Sequence, residues 1–364
     1  MRIIKVSLVI GMLLVTACSS GGDEGNGDGR GLSGSGGSPA VEGTAEGGRA
    51  AGSGDLGGTG TGGTSTGGAG VIGAGGRAGE SGGLAATGGM GGSSVTSGGS
   101  GAGSVGTQPP IIPPVSSACP EFQSGTQTIM GLSTEIVAGP PGATKGPLLF
   151  TWHGTGGSGK EALAQLPPSV QQDIISQGGI VIAPSANGQV REGTDVTLIL
   201  GVWYDVGDLK YADQIVACAV QNHNIDPQRI YVTGCSAGGL MAGVMALQRS
   251  TYVAAVAPNS GGTVTTTYKL QDPQRVPAVF AMHGGTSDTV IVNFADTTHN
   301  LETILKPSGA FMVECNHNMG HCGAPASLHE QAWQFMKAHP FSTKPSPYAG
   351  GLPADFPSYC AIQL

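Results

Sequence analysis

The most constraining stretch of the sequence is Arg229-Ile230-Tyr231-Val232-Thr233-Gly234-Cys235-Ser236-Ala237-Gly238-Gly239. Its first part, Ile230 to Thr233, is apolar and β-branched and predicts a buried strand. Its second part continues through Leu240-Met241-Ala242-Gly243-Val244-Met245-Ala246-Leu247, which is small, apolar and helix-compatible. Between them lies Gly-x-Ser-x-Gly, with Gly234 and Gly238 flanking Ser236. A serine on a sharp strand-to-helix turn needs small residues at both flanking positions. The helix that follows aims its free N–H groups and positive dipole end back at that serine. In a chain with 66 glycines, the motif gains weight only from this setting and from partners elsewhere.

The glycines are unevenly spread, 37 of them falling between Gly21 and Pro110. Residues 1–17 combine a positive start (Arg2, Lys5) with an apolar run from Val6 to Val15, which predicts an export signal. That run is too short for a comfortable membrane span. It ends in Leu14-Val15-Thr16-Ala17-Cys18, which resembles a bacterial lipobox. The resemblance implies that Cys18 is acylated and anchors the chain without a spanning helix, and Ser19 in the next position favours the outer membrane.

Residues 18–117 are mostly Gly, Ser, Thr and Ala with no aromatic side chain, and cannot bury enough apolar surface to offset ordering entropy. They are expected to be a disordered linker with a mean reach of about 55 Å, closed by the stiffer Pro109-Pro110-Ile111-Ile112-Pro113-Pro114. Residues 118–364 suffice for one domain with a full core. They carry 11 Lys and Arg against 17 Asp and Glu, a net of −6, with no basic cluster, so nucleic acid is not an expected partner.

Within this region strands and helices alternate. Strands are predicted at 147–152, 179–184, 230–233, 252–257, 276–282 and 310–314, and helices at 170–177, 210–222, 237–248 and 324–338. Continuous apolar strands with helices between them imply a mostly parallel sheet covered on both faces. Reactive groups in such sheets belong at the C-terminal ends of strands.

Three strands end in suitable chemistry. One runs into Ser236; the next into His283-Gly284-Gly285-Thr286-Ser287-Asp288; the last into Cys315-Asn316-His317-Asn318-Met319-Gly320-His321-Cys322. Ser236 is a poor nucleophile until an imidazole takes its proton, and His321 is the expected base, with His317 as its rival in the same loop. Asp288 would fix the His321 tautomer and stabilise the imidazolium. The order Ser, Asp, His is that of α/β-hydrolases and differs from the chymotrypsin and subtilisin orders. His329 falls in the closing helix and is expected to be solvated.

The first parallel strand leads into Trp152-His153-Gly154-Thr155-Gly156-Gly157-Ser158-Gly159-Lys160. A His-Gly turn there lets a backbone N–H face a developing oxyanion. The two expected donors are the N–H groups of Thr155 and Ala237, each of the kind worth roughly 3–4 kcal/mol in the transition state. The same segment fits the phosphate-loop pattern Gly-x-x-x-x-Gly-Lys, but Glu161 follows where Ser or Thr would bind Mg²⁺, so a nucleotide is not expected. Trp203 and Tyr204 are candidates for an acyl pocket, with a core role as the alternative.

Six cysteines follow Cys18, and export permits disulfides. Cys235 precedes Ser236 and Cys322 follows His321, so a working triad would bring the two cysteines together and a bond between them would staple its loops. The rival arrangement is a metal cluster of Cys315, His317, His321 and Cys322. Cys119, Cys218, Cys315 and Cys360 allow three pairings among themselves.

On Asp226-Pro227-Gln228-Arg229-Ile230-Tyr231-Val232-Thr233-Gly234-Cys235-Ser236-Ala237-Gly238-Gly239, His153-Gly154, His283-Gly284 with Asp288, Gly320-His321, and Trp333 with Phe335, residues 145–340 resemble the secreted poly(3-hydroxybutyrate) depolymerase and feruloyl esterase group of α/β-hydrolases. The cysteines beside Ser236 and His321 look like the CS-D-HC arrangement of tannases and some feruloyl esterases. The resemblance implies hydrolysis of carboxylic esters through an acyl-enzyme, with no metal or cofactor. The group's substrates range over polyesters, hydroxycinnamoyl-polysaccharides and acetyl-xylan. A serine peptidase of the same fold and a catalytically silent surface binding module are the alternatives.

Overall fold

The computed structural model describes residues 108–142, 144–185 and 206–363. The expected signal segment, Cys18, the linker up to residue 107, and Trp203 and Tyr204 lie outside the described residues. Along the chain the strands are β1 (Gly125–Ile129), β2 (Leu132–Ala138), β3 (Gly146–Trp152), β4 (Ile180–Pro184), β5 (Ile225–Cys235), β6 (Ala255–Asn259), β7 (Ala278–His283), β8 (Thr289–Val290), β9 (Val292–Asn293), β10 (Met312–Asn316) and β11 (Cys360–Gln363). The helices are α1 (Gly159–Ala164), α2 (Pro168–Ser176), α3 (Val206–Asn222), α4 (Ala237–Gln248), α5 (Phe294–Leu305) and α6 (Ala326–Ala338).

Nine strands form one sheet in the order β1-β2-β4-β3-β5-β6-β7-β10-β11, while β8 and β9 form a separate small hairpin. The pairings from β4 across to β10 are parallel, and the sheet is bordered by antiparallel β1, β2 and β11. Every residue of β3, β6 and β7 is buried, which requires cover on both faces. Alternate residues supply two cores. Phe150, Val232 and Val256 meet Ile215 of α3, Met241 of α4 and Leu301 of α5 on one face. On the other, Leu149, Tyr231 and Phe280 meet Ile174 of α2 and Trp333 and Phe335 of α6.

Several boundaries depart from the sequence pattern for identifiable reasons. Strand β6 begins at Ala255 and not at 252, because the N–H groups of Tyr252 and Val253 first close the end of α4 by bonding the Arg249 carbonyl, at 3.1 and 2.9 Å. The hairpin β1–β2 turns through Met130 and Gly131, both at positive φ, as two-residue hairpin turns of primed type require. Helix α5 was not expected at all. Its buried stripe includes Thr297 and Thr298 beside Phe294, Leu301 and Leu305, so hydrophobic periodicity understates it.

The packed region begins by residue 108, inside the stretch assigned to the linker on composition. The Ile111 N–H donates to the Thr251 carbonyl (2.8 Å), the Ser116 N–H donates to Gln214 Oε1 (2.7 Å), and Arg275 Nη2 donates to Gln108 Oε1 (2.7 Å). The Pro-rich collar is therefore part of the folded body. Cys119 pairs with Cys218, tying the collar's end to α3, and Cys315 pairs with Cys360, tying β11 to β10. Among the described residues, no helix is long and apolar enough to cross a membrane.

Candidate active site

The sequence pattern around Ser236 folds as a strained elbow. Strand β5 ends at Cys235, α4 starts at Ala237, and Ser236 between them has φ 58° and ψ −121°. A non-glycine residue there is costly, on the order of 1–3 kcal/mol, and such geometry concentrates at functional sites. The neighbouring glycines are obligatory for close approach. A Cβ on Gly238 would lie 1.9 Å from the Trp152 carbonyl oxygen, and one on Gly234 would lie 2.6 Å from the same atom. The Ser236 N–H donates to the Asn259 carbonyl at 3.1 Å, which pins the elbow to the end of β6.

Asp288 lies just beyond β7, fully buried, with three donors on its carboxylate. Oδ1 accepts from His321 Nδ1 at 2.7 Å. Oδ2 accepts from the Gly284 N–H at 2.9 Å and from the Ser260 hydroxyl at 2.8 Å. Burial pushes the Asp288 pKa up, but the bonds from His321, Gly284 and Ser260 outweigh it and hold the carboxyl below its ordinary value. Because His321 Nδ1 must donate to this carboxylate, Nε2 carries the lone pair that a general base needs. Phe294, the first residue of α5, packs against the His321 ring with centroids 4.6 Å apart, and its N–H donates to the Asp288 carbonyl (2.9 Å).

The rival base is placed elsewhere. His317 is buried, its Nδ1 accepts the Met319 N–H at 3.1 Å, and Asp288 does not bond it. Burial holds its pKa below the ordinary value. His329, expected to be solvated, is only partly exposed, and burial with a contribution from His317 lowers its pKa to about 4.

Cys235 and Cys322 are joined by a disulfide, with Cα atoms 5.8 Å apart. The bond links the residue before Ser236 to the residue after His321. His321 offers a ring nitrogen within 4.8 Å of both sulfurs. Sulfurs in a disulfide are not thiolate donors, so this group does not form a zinc-type site. The cluster of Cys315, His317, His321 and Cys322 fails for the same reason, since Cys315 is bonded to Cys360.

A second set of candidate ligands, His283, His299 and Glu314, meets at Glu314 Oε1, at 2.7 Å from His283 Nε2 and 3.1 Å from His299 Nε2. The Gly285 N–H donates to His283 Nδ1 at 3.0 Å, so the His283 proton sits on Nε2 and no lone pair faces outward there. The group is a hydrogen-bonded brace in which His283 is buried, Glu314 partly buried and His299 exposed.

His153 is buried and donates from Nδ1 to the Gly154 carbonyl at 2.6 Å, shaping the turn after β3. Gly154 lies against the nucleophile turn, where a Cβ would come within 3.3 Å of Ser236 Cβ. Thr155, the next residue of this turn, is exposed. Ala237 stands at the first position of α4, where N–H groups have no intrahelical acceptor. Among the described residues, no hydrogen bond joins the Ser236 hydroxyl to His321; such contacts are often loose without substrate. Two residues at the site gave no clear signal in the sequence, Ser260 and Phe294.

The architecture agrees with known structures. The native crystal structure of pOPH matches with a TM-score of 0.52 at 17% identity, over 68% of this chain and 96% of that one. The chain has the α/β-hydrolase fold. A model of the prolyl oligopeptidase family matches residues 168–289 of this chain, a span holding Ser236 and Asp288. The chain is 31% identical over 158 residues to a bifunctional acetylxylan esterase/xylanase of Neocallimastix patriciarum, covering 41% of this chain and 20% of that protein. It is 40% identical over 67 residues to poly(3-hydroxyalkanoate) depolymerase C of Paucimonas lemoignei, covering 16% of each. The chain thus spans a fifth or less of the length of either relative.

Proposed function

We propose that this protein cleaves carboxylic esters through an acyl-enzyme, with Ser236 as nucleophile, His321 as general base and acid, and Asp288 as its orienting carboxylate. The observation that carries the reading is the 2.7 Å bond from His321 Nδ1 to buried Asp288, on a loop disulfide-bonded to the Ser236 elbow. In the forward step the Ser236 oxygen bonds the ester carbonyl carbon while its proton passes to His321 Nε2. The oxygen of the tetrahedral adduct is held by the Thr155 and Ala237 N–H groups. Collapse breaks the bond to the alcohol, which leaves with the proton from His321. Water, deprotonated by His321, then attacks the acyl-enzyme and frees Ser236. Asp288 stays ionised throughout and stabilises the imidazolium.

The relatives point to the substrate class, acyl esters of plant polysaccharide or hydroxyalkanoate oligomers. Export, acylation at Cys18 and a tether of Gly and Ser to the outer membrane belong to the same proposal. It predicts that p-nitrophenyl acetate and butyrate are hydrolysed, that the Ser236→Ala variant has no such activity, and that a fluorophosphonate labels Ser236. Equal turnover by wild type and Ser236→Ala overturns it. A panel of ferulate, acetyl-xylan and 3-hydroxybutyrate oligomers then assigns the acyl group. The prolyl oligopeptidase family match favours a second reading, a serine peptidase. Side-by-side turnover of ester and peptide substrates with the same leaving group separates the two.

A further inference from the structure

The end of β6 bonds the Ser236 elbow, the Asp288 carboxylate and the residue after His321. The Asn259 carbonyl accepts the Ser236 N–H at 3.1 Å. The next residue, Ser260, is fully buried with φ 44°, a left-handed backbone that few non-glycine residues adopt. Its N–H is fixed on the Met282 carbonyl of β7 at 2.8 Å. Its hydroxyl accepts the Cys322 N–H at 2.9 Å and donates to Asp288 Oδ2 at 2.8 Å. The directions are forced, since an N–H only donates and an ionised carboxylate only accepts. The one hydroxyl proton of Ser260 is therefore committed to Asp288, and its lone pair to the peptide following His321.

We propose that Ser260 is a positioning residue for ester hydrolysis: its hydroxyl couples the acid to the base loop, holding Asp288 ionised and His321 in register with Ser236. This rests on the proposed function and adds to it a fourth side chain. The disulfide fixes the backbone beside Ser236 and His321, but it leaves the carboxylate's second oxygen unaddressed. Among the described residues, only Ser260 and the Gly284 N–H bond that oxygen. Removing the hydroxyl strips one donor from a buried carboxylate and leaves the Cys322 N–H without its acceptor. Losing that donor raises the affinity of the Asp288 carboxylate for protons, so the Asp288–His321 pair keeps its second proton to higher pH. The other titratable groups near Asp288 are buried His317 and the His283–Glu314 pair, and none of them bonds Asp288 or Ser260.

The test uses full-length Ser260→Ala and Ser260→Gly, with Gly chosen because it removes the hydroxyl while relieving the positive φ. Turnover of p-nitrophenyl butyrate is measured from pH 5 to 9. Hydrogen bonds to charged groups set the scale, so kcat is expected to fall about ten- to a hundredfold in both variants. KM should hold within about twofold, and the acid limb of the kcat/KM profile should move to higher pH. A folded variant with wild-type kcat and an unmoved acid limb overturns the inference. So does a loss of kcat with the acid limb in place, because that marks a role in stability alone. In the wild type the Cys322 amide should exchange slowly with solvent, and fast exchange there refutes the bond without any variant. A wild type that neither turns over the ester nor is labelled at Ser236 overturns the proposed function and this role with it, whereas the variant outcomes above overturn the role of Ser260 alone.

Discussion

Replacing Asp288 by Asn tests the site most sharply, because the hydrogen bonds dictate what the amide must do. The carboxylate takes His321 Nδ1 on one oxygen and two donors, the Gly284 N–H and the Ser260 hydroxyl, on the other. An amide has one accepting oxygen and one donating NH₂. The Gly284 N–H cannot turn away, so the oxygen stays on its side and the NH₂ faces His321. Two donors would then meet at 2.7 Å, unless the imidazole moves its proton to Nε2. That tautomer relieves the clash and removes the lone pair the base needs. Geometry is kept and basicity is lost, so kcat should fall roughly 10³- to 10⁴-fold, about 4–5.5 kcal/mol of transition-state stabilisation. KM should change little. The assay is steady-state hydrolysis of p-nitrophenyl butyrate, with circular dichroism to show an unchanged fold. A variant within tenfold of wild-type kcat would refute the tautomer argument and with it the assignment of Asp288.

Three further outcomes are expected. His321→Ala should lose at least about 10³-fold in kcat, whereas His317→Gln should keep at least about a tenth of wild-type activity; the reverse order would make His317 the base. The double variant Cys235→Ser with Cys322→Ser opens a link spanning 87 residues, for which chain entropy gives a loss of roughly 4–5 kcal/mol. Urea unfolding measures it, a change under about 1 kcal/mol would contradict it, and an unreduced peptide map should show the bond directly. Acid should destabilise the fold through Asp288 and Glu314. Burial opposes the bonds that lower Asp288, while Glu314 is lowered first by its bond from His283. Both folded pKa values lie below the unfolded ones, so their contribution is complete above the ordinary carboxylate range and lost as pH falls through the depressed values. The melting temperature should hold from about pH 7 to 5 and drop below about pH 4; a flat profile down to pH 3 would refute this.

How much was legible in the sequence depends on whether the signal was local. The strand–Gly-x-Ser-x-Gly–helix run encodes its own geometry, because Gly238 must admit the Trp152 carbonyl and only a residue without a Cβ does so. Strands β3, β4, β7 and the part of β5 from Ile230 onward announce themselves as mostly apolar runs, since burial on both faces leaves no polar alternation. Asp288 and the pair of histidines were placed at strand ends by the same logic. Edge strands β1 and β2 were missed although Leu132, Thr134 and Ile136 alternate as a half-buried strand should. Helix α5 was missed because threonines fill part of its buried face.

The sequence by itself determined the elbow, the alternation of strands and helices, and the types of residue that hydrolysis would require. It could not choose His321 over His317, since both sit in one loop and only packing shows which ring meets Asp288 and which turns its Nδ1 to a backbone N–H. Nor could it pair Cys119 with Cys218 and Cys315 with Cys360, because a disulfide depends on Cα separation and not on spacing along the chain. Ser260 is the clearest case. Its only distinction in the sequence is to follow an apolar strand, and its meaning comes from two partners 28 and 62 residues away that the parallel sheet brings to one end. Local pattern specifies elements, but hydrogen bonds between the ends of different strands exist only once the sheet has set their order.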